Sequence, residues 1–280
     1  MDLTDKTTIK ELLKKHGARA EKYLGQHFIL SKKALNQMTA AAEIKKSDAI
    51  VEIGPGLGAL TRELAKAGAK ITAIEKDPLM ISILKETLAD FSNIKIVHAD
   101  ARSIGVGNLS LEKYKIAANL PYNIAVFLIR QWLEAEKPPQ LMVLMVQKEV
   151  AQRICAKPPR ANLLAASVQF YADAKIVDYV PAEAFWPKPK IDSAIIKIIP
   201  RKKPPQKTRG AFFATVKAGF SQPRKKLIGN LSKKFGAPKE KLAKIFKKLD
   251  IPENARAENL SLKQWLSLTT EIPYKIKKEK

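Results

Sequence analysis

The stretch Ile50-Val-Glu-Ile-Gly-Pro-Gly-Leu-Gly58 decides the fold of this 280-residue chain. Its apolar beginning predicts a buried β-strand, and the segment 59–66 that follows has apolar residues at helical spacing. Between them, Gly54, Gly56 and Gly58 predict a turn whose backbone can approach a ligand closely. Such a turn also directs the N-terminus of the next helix at the ligand. The stretch therefore predicts a strand-loop-helix unit of an α/β fold with a ligand-binding loop.

Two later apolar segments, 70–75 and 94–100, also read as strands, and both end in acidic residues. Glu75 lies 21 positions after Gly54, a distance at which an acid usually binds ribose hydroxyls. This feature suits a dinucleotide and S-adenosylmethionine equally well. Asp100 is placed at the end of its strand to accept a hydrogen bond from an adenine amino group.

A fourth apolar segment, 114–118, runs into Asn119, Leu120, Pro121 and Tyr122. The asparagine offers a side-chain carbonyl, and backbone carbonyls beside it are held by the fixed geometry of proline. The tyrosine offers a flat face on which a heterocycle can stack. Two acceptors aimed at an NH₂ group would orient its protons and turn its lone pair toward an electrophile. Taken alone, Asn-x-Pro is also common in ordinary turns.

The four strand ends together favour one type of ligand. In doubly wound parallel sheets, ligands bind at the carboxyl edge of the strands, so all four ends would meet at one site. A nicotinamide enzyme gains nothing from the last two ends, whereas an enzyme that methylates an amine uses both. The sequence therefore predicts an α/β, Rossmann-like sheet of the S-adenosylmethionine-dependent methyltransferases rather than a dinucleotide-binding domain.

The chain resembles the ribosomal RNA adenine dimethyltransferases, and within that family the bacterial enzymes of the small subunit. The glycine loop, Glu75, Asp100 and the tetrad 119–122 carry part of the resemblance. Four further segments occur in the order of the family, and these are Tyr23-Leu-Gly-Gln-His-Phe-Ile29, Phe185-Trp-Pro-Lys-Pro-Lys-Ile-Asp-Ser193, Phe220-Ser-Gln-Pro-Arg-Lys-Lys226 and Ala255-Arg-Ala-Glu-Asn-Leu-Ser-Leu-Lys-Gln-Trp265. The resemblance covers nearly the whole chain.

The resemblance implies a donor site for S-adenosylmethionine. Residues 23–29 match the family's loop over the donor, and His27 stands where an asparagine is more frequent. The residues expected to bind the donor are His27, Ile29, Gly54, Glu75, Asp100 and Asn119. No pair of histidine and carboxylate shows the spacing of a metal site, so we expect no metal.

The resemblance also implies the substrate and the residues that handle it. The expected reaction transfers methyl groups to the N6 amines of two adjacent adenines near the 3′ end of small-subunit RNA, dimethylating each, with a role in small-subunit biogenesis. Phe185 is expected opposite Tyr122, so that the adenine lies between two rings. The residues expected in catalysis are Asn119, Leu120, Pro121, Tyr122 and Phe185.

The charge is uneven, which indicates a polyanionic partner. The net charge is +24, and residues 201–280 hold 22 Lys and Arg against 6 Asp and Glu. A basic region beside a nearly balanced one favours nucleic acid, although a solvated lysine-rich surface would explain part of the excess. We expect ribosomal RNA, within the small subunit or its precursor, to contact Lys188, Lys190, Arg224, Lys225 and Lys226.

The domain organisation follows from one composition change. The segment 201–207 is rich in proline and positive charge and reads as a linker. We predict a catalytic domain over 1–200 and a small all-helical domain over 208–280 that docks on RNA. In the second domain, Phe212, Val216 and Phe220 are spaced at i, i+4 and i+8, as on one face of a helix.

Other features bear on compartment and assembly. Cys155 is the only cysteine, so an internal disulfide is excluded. The beginning of the sequence lacks the apolar core of a signal peptide, and no apolar run reaches membrane length. We expect a cytoplasmic monomer without membrane association. The absence of a Gly-x-Ser-x-Gly motif argues against a hydrolase.

Two alternatives share this fold. One is a methyltransferase acting on DNA adenine or on large-subunit RNA, the latter of the antibiotic-resistance type; the segment 256–265 resembles the small-subunit enzymes instead. The other is a ribosome assembly factor without catalytic activity, against which the intact donor site and the intact tetrad 119–122 argue.

Overall fold

The computed structural model describes residues 1–21, 25–104, 111–202 and 204–272. Within these residues the helices are α1 (Lys6–Lys15), α2 (Lys32–Ala41), α3 (Ala59–Lys66), α4 (Pro78–Thr87), α5 (Ala125–Glu134), α6 (Lys148–Cys155), α7 (Leu163–Tyr171), α8 (Gln206–Gly219), α9 (Leu227–Phe235), α10 (Lys239–Lys248) and α11 (Leu262–Glu271). The strands are β1 (Phe28–Ile29), β2 (Ala49–Ile53), β3 (Lys70–Glu75), β4 (Ile94–His98), β5 (Lys115–Asn119), β6 (Leu141–Gln147), β7 (Ala172–Val180), β8 (Phe185–Trp186) and β9 (Ser193–Pro200).

Seven strands form one sheet in the order β4-β3-β2-β5-β6-β9-β7. The first five are parallel, and β9 is antiparallel to β6. The helices α3, α4 and α5 connect β2 to β3, β3 to β4 and β5 to β6, because a crossover between parallel strands must return the chain to the same edge. The predicted α/β Rossmann-like sheet is confirmed. A separate antiparallel pair joins β1 to β8.

Burial explains which segments became the central strands. The first six residues of β6 are all buried, as expected for a strand covered on both faces. By contrast, β7 at the sheet edge alternates between buried or half-buried and exposed positions along its length. The sequence analysis identified β2, β3, β4 and β5 but missed β7. The residue types do not follow this alternation, because Val177 and Tyr179 are exposed whereas Asp178 is half-buried.

The parallel strands bring the predicted functional residues to one edge. Ile53 of β2 pairs with Ile74 of β3, and the Gly54 N–H donates to the Ile74 carbonyl at 3.0 Å. The glycine loop therefore begins beside Glu75, the last residue of β3. Because β4 and β5 run in the same direction, Asp100 and Asn119 reach this edge too. The order of the strands thus assembles the site that the sequence predicted.

The chain divides into two compact units that differ from the predicted domains. One unit comprises Met1–Gln152 with Asp173–Pro200, and the other comprises Arg153–Ala172 with Arg201–Lys280. The segment 153–172, expected in the catalytic domain, thus lies with the helical unit. The reason is aromatic packing, since Phe170 of α7 stacks on Phe212 of α8 at 4.1 Å between ring centroids. In addition, α8 begins at Gln206, inside the predicted linker 201–207.

The helical unit holds a compact turn between α8 and α9. The side chain of Asn230 donates to the carbonyls of Gly219 and Gln222, at 2.7 and 3.0 Å. Trp265 of α11 is fully buried and packs beside Phe220, with ring centroids 5.8 Å apart. These contacts fix residues 220–226 as a defined turn. Within the described residues, no helix combines the length and the apolarity needed to cross a membrane.

A stability prediction follows from Gly219. A Cβ atom at this position would lie 2.4 Å from Cη2 of Trp265 and 2.8 Å from Cδ1 of Leu227, closer than real Cβ contacts. Because both neighbours are buried in the core, they cannot move aside cheaply. We expect Gly219→Ala to destabilise the protein by about 1–3 kcal/mol, as overpacked cores do. Thermal unfolding measured by calorimetry would show the loss.

Gly229 provides the matched control for this prediction. It lies in α9, and a Cβ atom there would have no neighbour within 4 Å. Alanine favours the helix over glycine by about 0.5–1 kcal/mol, so Gly229→Ala should raise the melting temperature. Equal effects of the two substitutions would contradict the packing argument.

Candidate active site

A cavity of about 310 Å³ lies at the carboxyl edge of the parallel strands. This volume falls at the lower end of the range for small-molecule sites, about 300–1,000 Å³. The cavity brings together all six residues predicted to bind the donor, which are His27, Ile29, Gly54, Glu75, Asp100 and Asn119. Of the tetrad, Pro121 also lines it. Of the segment 23–29, residues 23 and 24 lie outside the described residues.

The glycine loop at the cavity needs glycine for two reasons. Gly56 has φ +60° and Gly58 has φ +90°, both in the left-handed region that side chains disfavour. A Cβ atom on Gly56 would also lie 3.3 Å from the ring of Phe28, and one on Gly58 would lie 3.0 Å from Leu88 Cδ2. The loop therefore brings bare backbone to the cavity and starts α3 directly after it.

Glu75 is held in place by backbone N–H groups. Its Oε1 accepts hydrogen bonds from the N–H groups of Lys76 and Asp77 at 2.7 and 2.9 Å. Burial raises the pKa of this carboxyl above its ordinary value, and backbone N–H groups, including that of Gly56, act in the opposite direction. These two hydrogen bonds involve only Oε1 and do not involve the second carboxyl oxygen, Oε2. Such a preoriented acceptor at a cavity is suited to sugar hydroxyls.

Asp100 is more strongly engaged than the sequence suggested. Its carboxylate accepts from the guanidinium of Arg102 at 2.6 Å and from Nζ of Lys76 at 3.0 Å. The Arg102 bonds, together with Lys76, hold the pKa of Asp100 well below its usual range. The group is therefore a permanent anion at the cavity wall. Its proposed role toward the adenine of the donor requires that it accept a further hydrogen bond.

The composition of the cavity fits S-adenosylmethionine. Three carboxyl groups, those of Glu52, Glu75 and Asp100, line it, and Asp100 takes up both Lys76 and Arg102. Carboxyl groups at these positions suit a ligand that carries hydroxyl, amino and positively charged groups. The glycine loop leaves room for the ligand where side chains would fill it. The residues that would hold this donor are Gly54, Glu75 and Asp100.

The side chain of Asn119 is oriented by a backbone carbonyl of the loop that precedes β1. Its Nδ2 donates to the carbonyl oxygen of His27 at 3.2 Å. Because the amide nitrogen is used in this way, the side-chain oxygen is the acceptor that remains for a ligand. The sequence predicted the use of that oxygen, but the partner that orients it was found only in the structure.

Two backbone carbonyls beside Asn119, those of Leu120 and Pro121, are candidates for the second acceptor. The carbonyl of Pro121 accepts the N–H of Ile124 at 3.2 Å, in the turn that leads into α5. The N–H of Leu120 donates to the Met145 carbonyl at 3.1 Å, which fixes its peptide at the end of β5. Because the Pro121 carbonyl already accepts one hydrogen bond, we expect the carbonyl of Leu120 to be the second acceptor.

Tyr122 is positioned by two residues distant in sequence. Its hydroxyl lies 2.8 Å from Oγ of Ser193, a residue that is completely buried. The ring of His27 lies parallel to it, with centroids 5.6 Å apart and an angle of 22°. His27 Nδ1 donates to the Pro187 carbonyl at 2.6 Å, which leaves Nε2 as an acceptor. Sequence reasoning gave Ser193 no role, although it ends the segment 185–193.

Phe185 is buried, and its predicted place opposite Tyr122 at the target base remains a prediction. The phenyl ring is only 2% exposed and belongs to the hydrophobic core. The reason is strand pairing, since Phe185 of β8 lies opposite Ile29 of β1. Tyr122 and Phe185 are not among the described residues that line the cavity. The ring of His27 lies beside that of Tyr122.

The residues expected to contact RNA are all on the surface. Lys188 and Lys190 are exposed, and Lys188 forms an ion pair with Glu183. Arg224, Lys225 and Lys226 are exposed on the turn between α8 and α9 in the helical unit. Contact with RNA remains a prediction for these five residues.

Known proteins resemble this chain over nearly its full length. A protein named ribosomal RNA small subunit methyltransferase A from Dehalococcoides mccartyi is 40% identical over 263 residues, covering 92% of this chain and 90% of that protein. A protein of the same name from a Geobacillus species is 34% identical over 286 residues, covering 98% of each.

Two solved structures share the fold. The 23S rRNA methyltransferase ErmE superposes with a TM-score of 0.75 and 25% identity, covering 87% of this chain and 98% of its own. A dimethyladenosine transferase from Plasmodium falciparum gives a TM-score of 0.74 and 27% identity, covering 86% and 96%. A sequence model described as ribosomal RNA adenine dimethylase matches residues 17–273. With the cavity and the tetrad 119–122 in place, this chain belongs to the ribosomal RNA adenine dimethylase family.

Proposed function

We propose that this chain transfers methyl groups from S-adenosylmethionine to the N6 amines of two adjacent adenines near the 3′ end of small-subunit ribosomal RNA, dimethylating each. One observation carries the proposal, namely the oriented amide of Asn119 at the mouth of an acid-lined cavity. Relatives that are 34–40% identical carry the name of a small-subunit methyltransferase, which favours the small subunit over the large one.

The chemistry that the chain itself must supply is positioning. When bound, S-adenosylmethionine supplies a methyl group on a positively charged sulfur. In the first transfer, the side-chain oxygen of Asn119 and the carbonyl of Leu120 accept hydrogen bonds from the two N6 protons and turn the nitrogen lone pair toward that methyl group. In the second transfer one N6 proton remains to be held. In each transfer the bond from sulfur to the methyl carbon breaks as the bond to nitrogen forms, and one N6 proton then leaves to solvent. Orientation of two reactants in this way can account for about 7–11 kcal/mol of a barrier.

Tyr122 contributes the surface on which the target base rests. Stacking on an aromatic ring stabilises a base by about 1–3 kcal/mol, which helps offset the cost of taking it out of its stack. Because the hydroxyl is held by Ser193, the ring keeps one orientation while the base enters. A fixed ring and a fixed amide together define the plane of the adenine.

The substrate can be identified in one assay. Small subunits lacking these methyl groups are incubated with labelled donor and the protein, and large subunits and naked RNA serve as parallel substrates. The RNA is then digested and the labelled nucleoside is identified. Label in N6,N6-dimethyladenosine from the small subunit supports the proposal. Label confined to the large subunit would establish the alternative substrate, and label in neither would favour an assembly factor without activity.

A second prediction concerns docking by the helical unit. Arg224, Lys225 and Lys226 lie on a turn that Asn230 fixes, so their charges are presented together. We expect their triple replacement by alanine to leave donor affinity unchanged and to weaken binding to small subunits. The salt dependence should become shallower, by about 0.7–0.9 in log–log slope for each phosphate contact that is lost.

The control for this prediction removes the same charge elsewhere in the helical unit. Lys239, Lys241 and Lys244 lie on α10 and are exposed. Their replacement by alanine changes the net charge equally, so it separates position from total charge. Equal salt slopes in the two triple variants would show that the turn 224–226 is an ordinary solvated surface.

The proposed substrate has consequences for location and assembly. Action on bacterial ribosomal subunits would place the reaction in the cytoplasm. The site is complete within one chain, since the tetrad 119–122 and every residue assigned to the donor come from the same unit. We therefore propose that the protein acts as a monomer, which sedimentation of the purified protein would test.

A further inference from the structure

Glu52 is a buried acid at the cavity that no step described above uses. It is the fourth residue of β2, two positions before Gly54, and it is only 1% exposed. Its Oε2 is buried and has no hydrogen-bond partner, yet the residue lines the cavity. A buried carboxyl oxygen without a partner is rare, because desolvation without compensation is costly.

The groups that face Glu52 do not neutralise it. Thr61 of α3 is the hydroxyl that interacts with it, and that hydroxyl is buried and completes no hydrogen bond. Glu75 of β3 adds a second negative charge nearby. The cations of the cavity wall, Lys76 and Arg102, are both taken up by Asp100. Among the described residues, therefore, these neighbours leave Glu52 without a positive partner.

The electrostatic consequence is a shift in the pKa of Glu52. Burial raises the pKa of Glu52 to about 8, the Thr61 hydroxyl opposes this rise, and the charge of Glu75 adds to it. At neutral pH the free protein therefore holds Glu52 mainly as the neutral acid. A positive charge brought into the cavity would favour the ionised form, because opposite charges stabilise each other strongly where water is excluded.

We propose that Glu52 is stored as a neutral acid in the free protein and ionises when the cationic methyl donor enters, so that donor binding releases a proton to solvent. This inference rests on the proposed function, because that function supplies the cation. The donor carries two positive groups, a sulfonium and an ammonium, and either could act on Glu52. If the sulfonium acts, transfer of the methyl group removes the charge that holds Glu52 ionised and so weakens retention of the product.

Calorimetry measures the proton directly. Binding is titrated at pH 7 in buffers of different ionisation enthalpy, with the unmodified protein and with Glu52→Gln, a neutral isostere of the protonated acid. The three ligands are S-adenosylmethionine, S-adenosylhomocysteine, which keeps only the ammonium, and methylthioadenosine, which carries neither charge. We expect the unmodified protein to release up to about one proton more than Glu52→Gln with S-adenosylmethionine and none with methylthioadenosine.

The ligand series separates the possible outcomes. If S-adenosylhomocysteine also releases a proton, the ammonium is responsible. If only S-adenosylmethionine releases a proton, the sulfonium is responsible. Both results support the proposal. Donor binding with equal proton counts in the two proteins overturns the proposal but leaves the proposed function standing. Failure of all three compounds to bind the unmodified protein overturns both. If Glu52→Gln does not fold, the contrast between the donor and methylthioadenosine on the unmodified protein decides.

The stability of the free protein gives a second readout. Glu52 binds its proton more tightly when folded than when unfolded, where its pKa is the ordinary 4.5. The folded state thus holds more protons between pH 4.5 and about 8, and its stability falls as the pH rises through this window. Glu52→Gln has no such titrating group, so its stability should not fall in this way. The melting temperature of Glu52→Gln minus that of the unmodified protein should therefore increase from pH 5 to pH 8. A difference that does not change with pH would contradict the proposal.

Discussion

Replacement of Asn119 by alanine should lower the rate of methyl transfer by about 10²–10³-fold, the loss typical of one preorganised group at a reacting centre. The variant loses the acceptor that orients the target amine, whereas the glycine loop and Glu75 remain in place. Because Asn119 also lines the cavity, donor affinity should weaken slightly at most. Single-turnover methylation of small subunits measures the first effect and donor calorimetry measures the second.

The control for Asn119→Ala tests whether local structure survives. The Nδ2 bond to His27 is lost with the side chain, so the stacking of His27 on Tyr122 should be checked separately. Unchanged melting temperature and donor affinity would establish that the substitution acts on chemistry. Turnover close to that of the unmodified protein would exclude the assigned role of Asn119.

Replacement of Glu75 by alanine should lower donor affinity by more than tenfold. Hydrogen bonds to a charged acceptor contribute about 1.5–3 kcal/mol each, and the ribose would lose at least one. The two backbone N–H groups that now donate hydrogen bonds to Glu75 would donate to water instead. A small loss of protein stability should therefore accompany the loss of donor affinity. Titration calorimetry with S-adenosylhomocysteine measures the affinity without turnover.

Glu86→Ala is the matched control for Glu75→Ala. Glu86 lies on α4 outside the cavity and pairs with Lys15 and His16 at the surface. Its removal deletes a carboxylate of the same kind without touching the donor, so donor affinity should stay unchanged. If Glu75→Ala also left the affinity unchanged, the assignment of the ribose to β3 would be wrong, and dinucleotide binding should then be measured.

Much of the site could be predicted because its signals are local. Gly54, Gly56 and Gly58 predict a turn whose backbone conformation residues with side chains disfavour. The apolar runs around it predict the strands. The rule that parallel strands share a carboxyl edge then places Glu75, Asp100 and Asn119 together without any further information. The structure gathers these residues around one cavity.

Two features that the sequence did not predict depend on distant contacts. Phe185 is buried in the core, where the pairing of β8 with β1 places it. The segment 153–172 was expected in the catalytic domain, but Phe170 packs on Phe212 in the helical unit. In both cases the residue has an apolar side chain that could serve either purpose. Which purpose it serves is decided by partners far away in the sequence.

The sequence by itself thus determined the α/β fold, the donor edge of the sheet and the family, because periodicity, glycine positions and motif order are properties of consecutive residues. Only the tertiary structure decided that the Pro121 carbonyl accepts the N–H of Ile124, which ring lies beside Tyr122, and that Oε2 of Glu52 is left without a hydrogen-bond partner. The physical reason is competition among possible partners. A hydrogen-bond acceptor, an aromatic face or a charge interacts with the neighbour that the fold brings within reach, and that neighbour can be far away in the sequence.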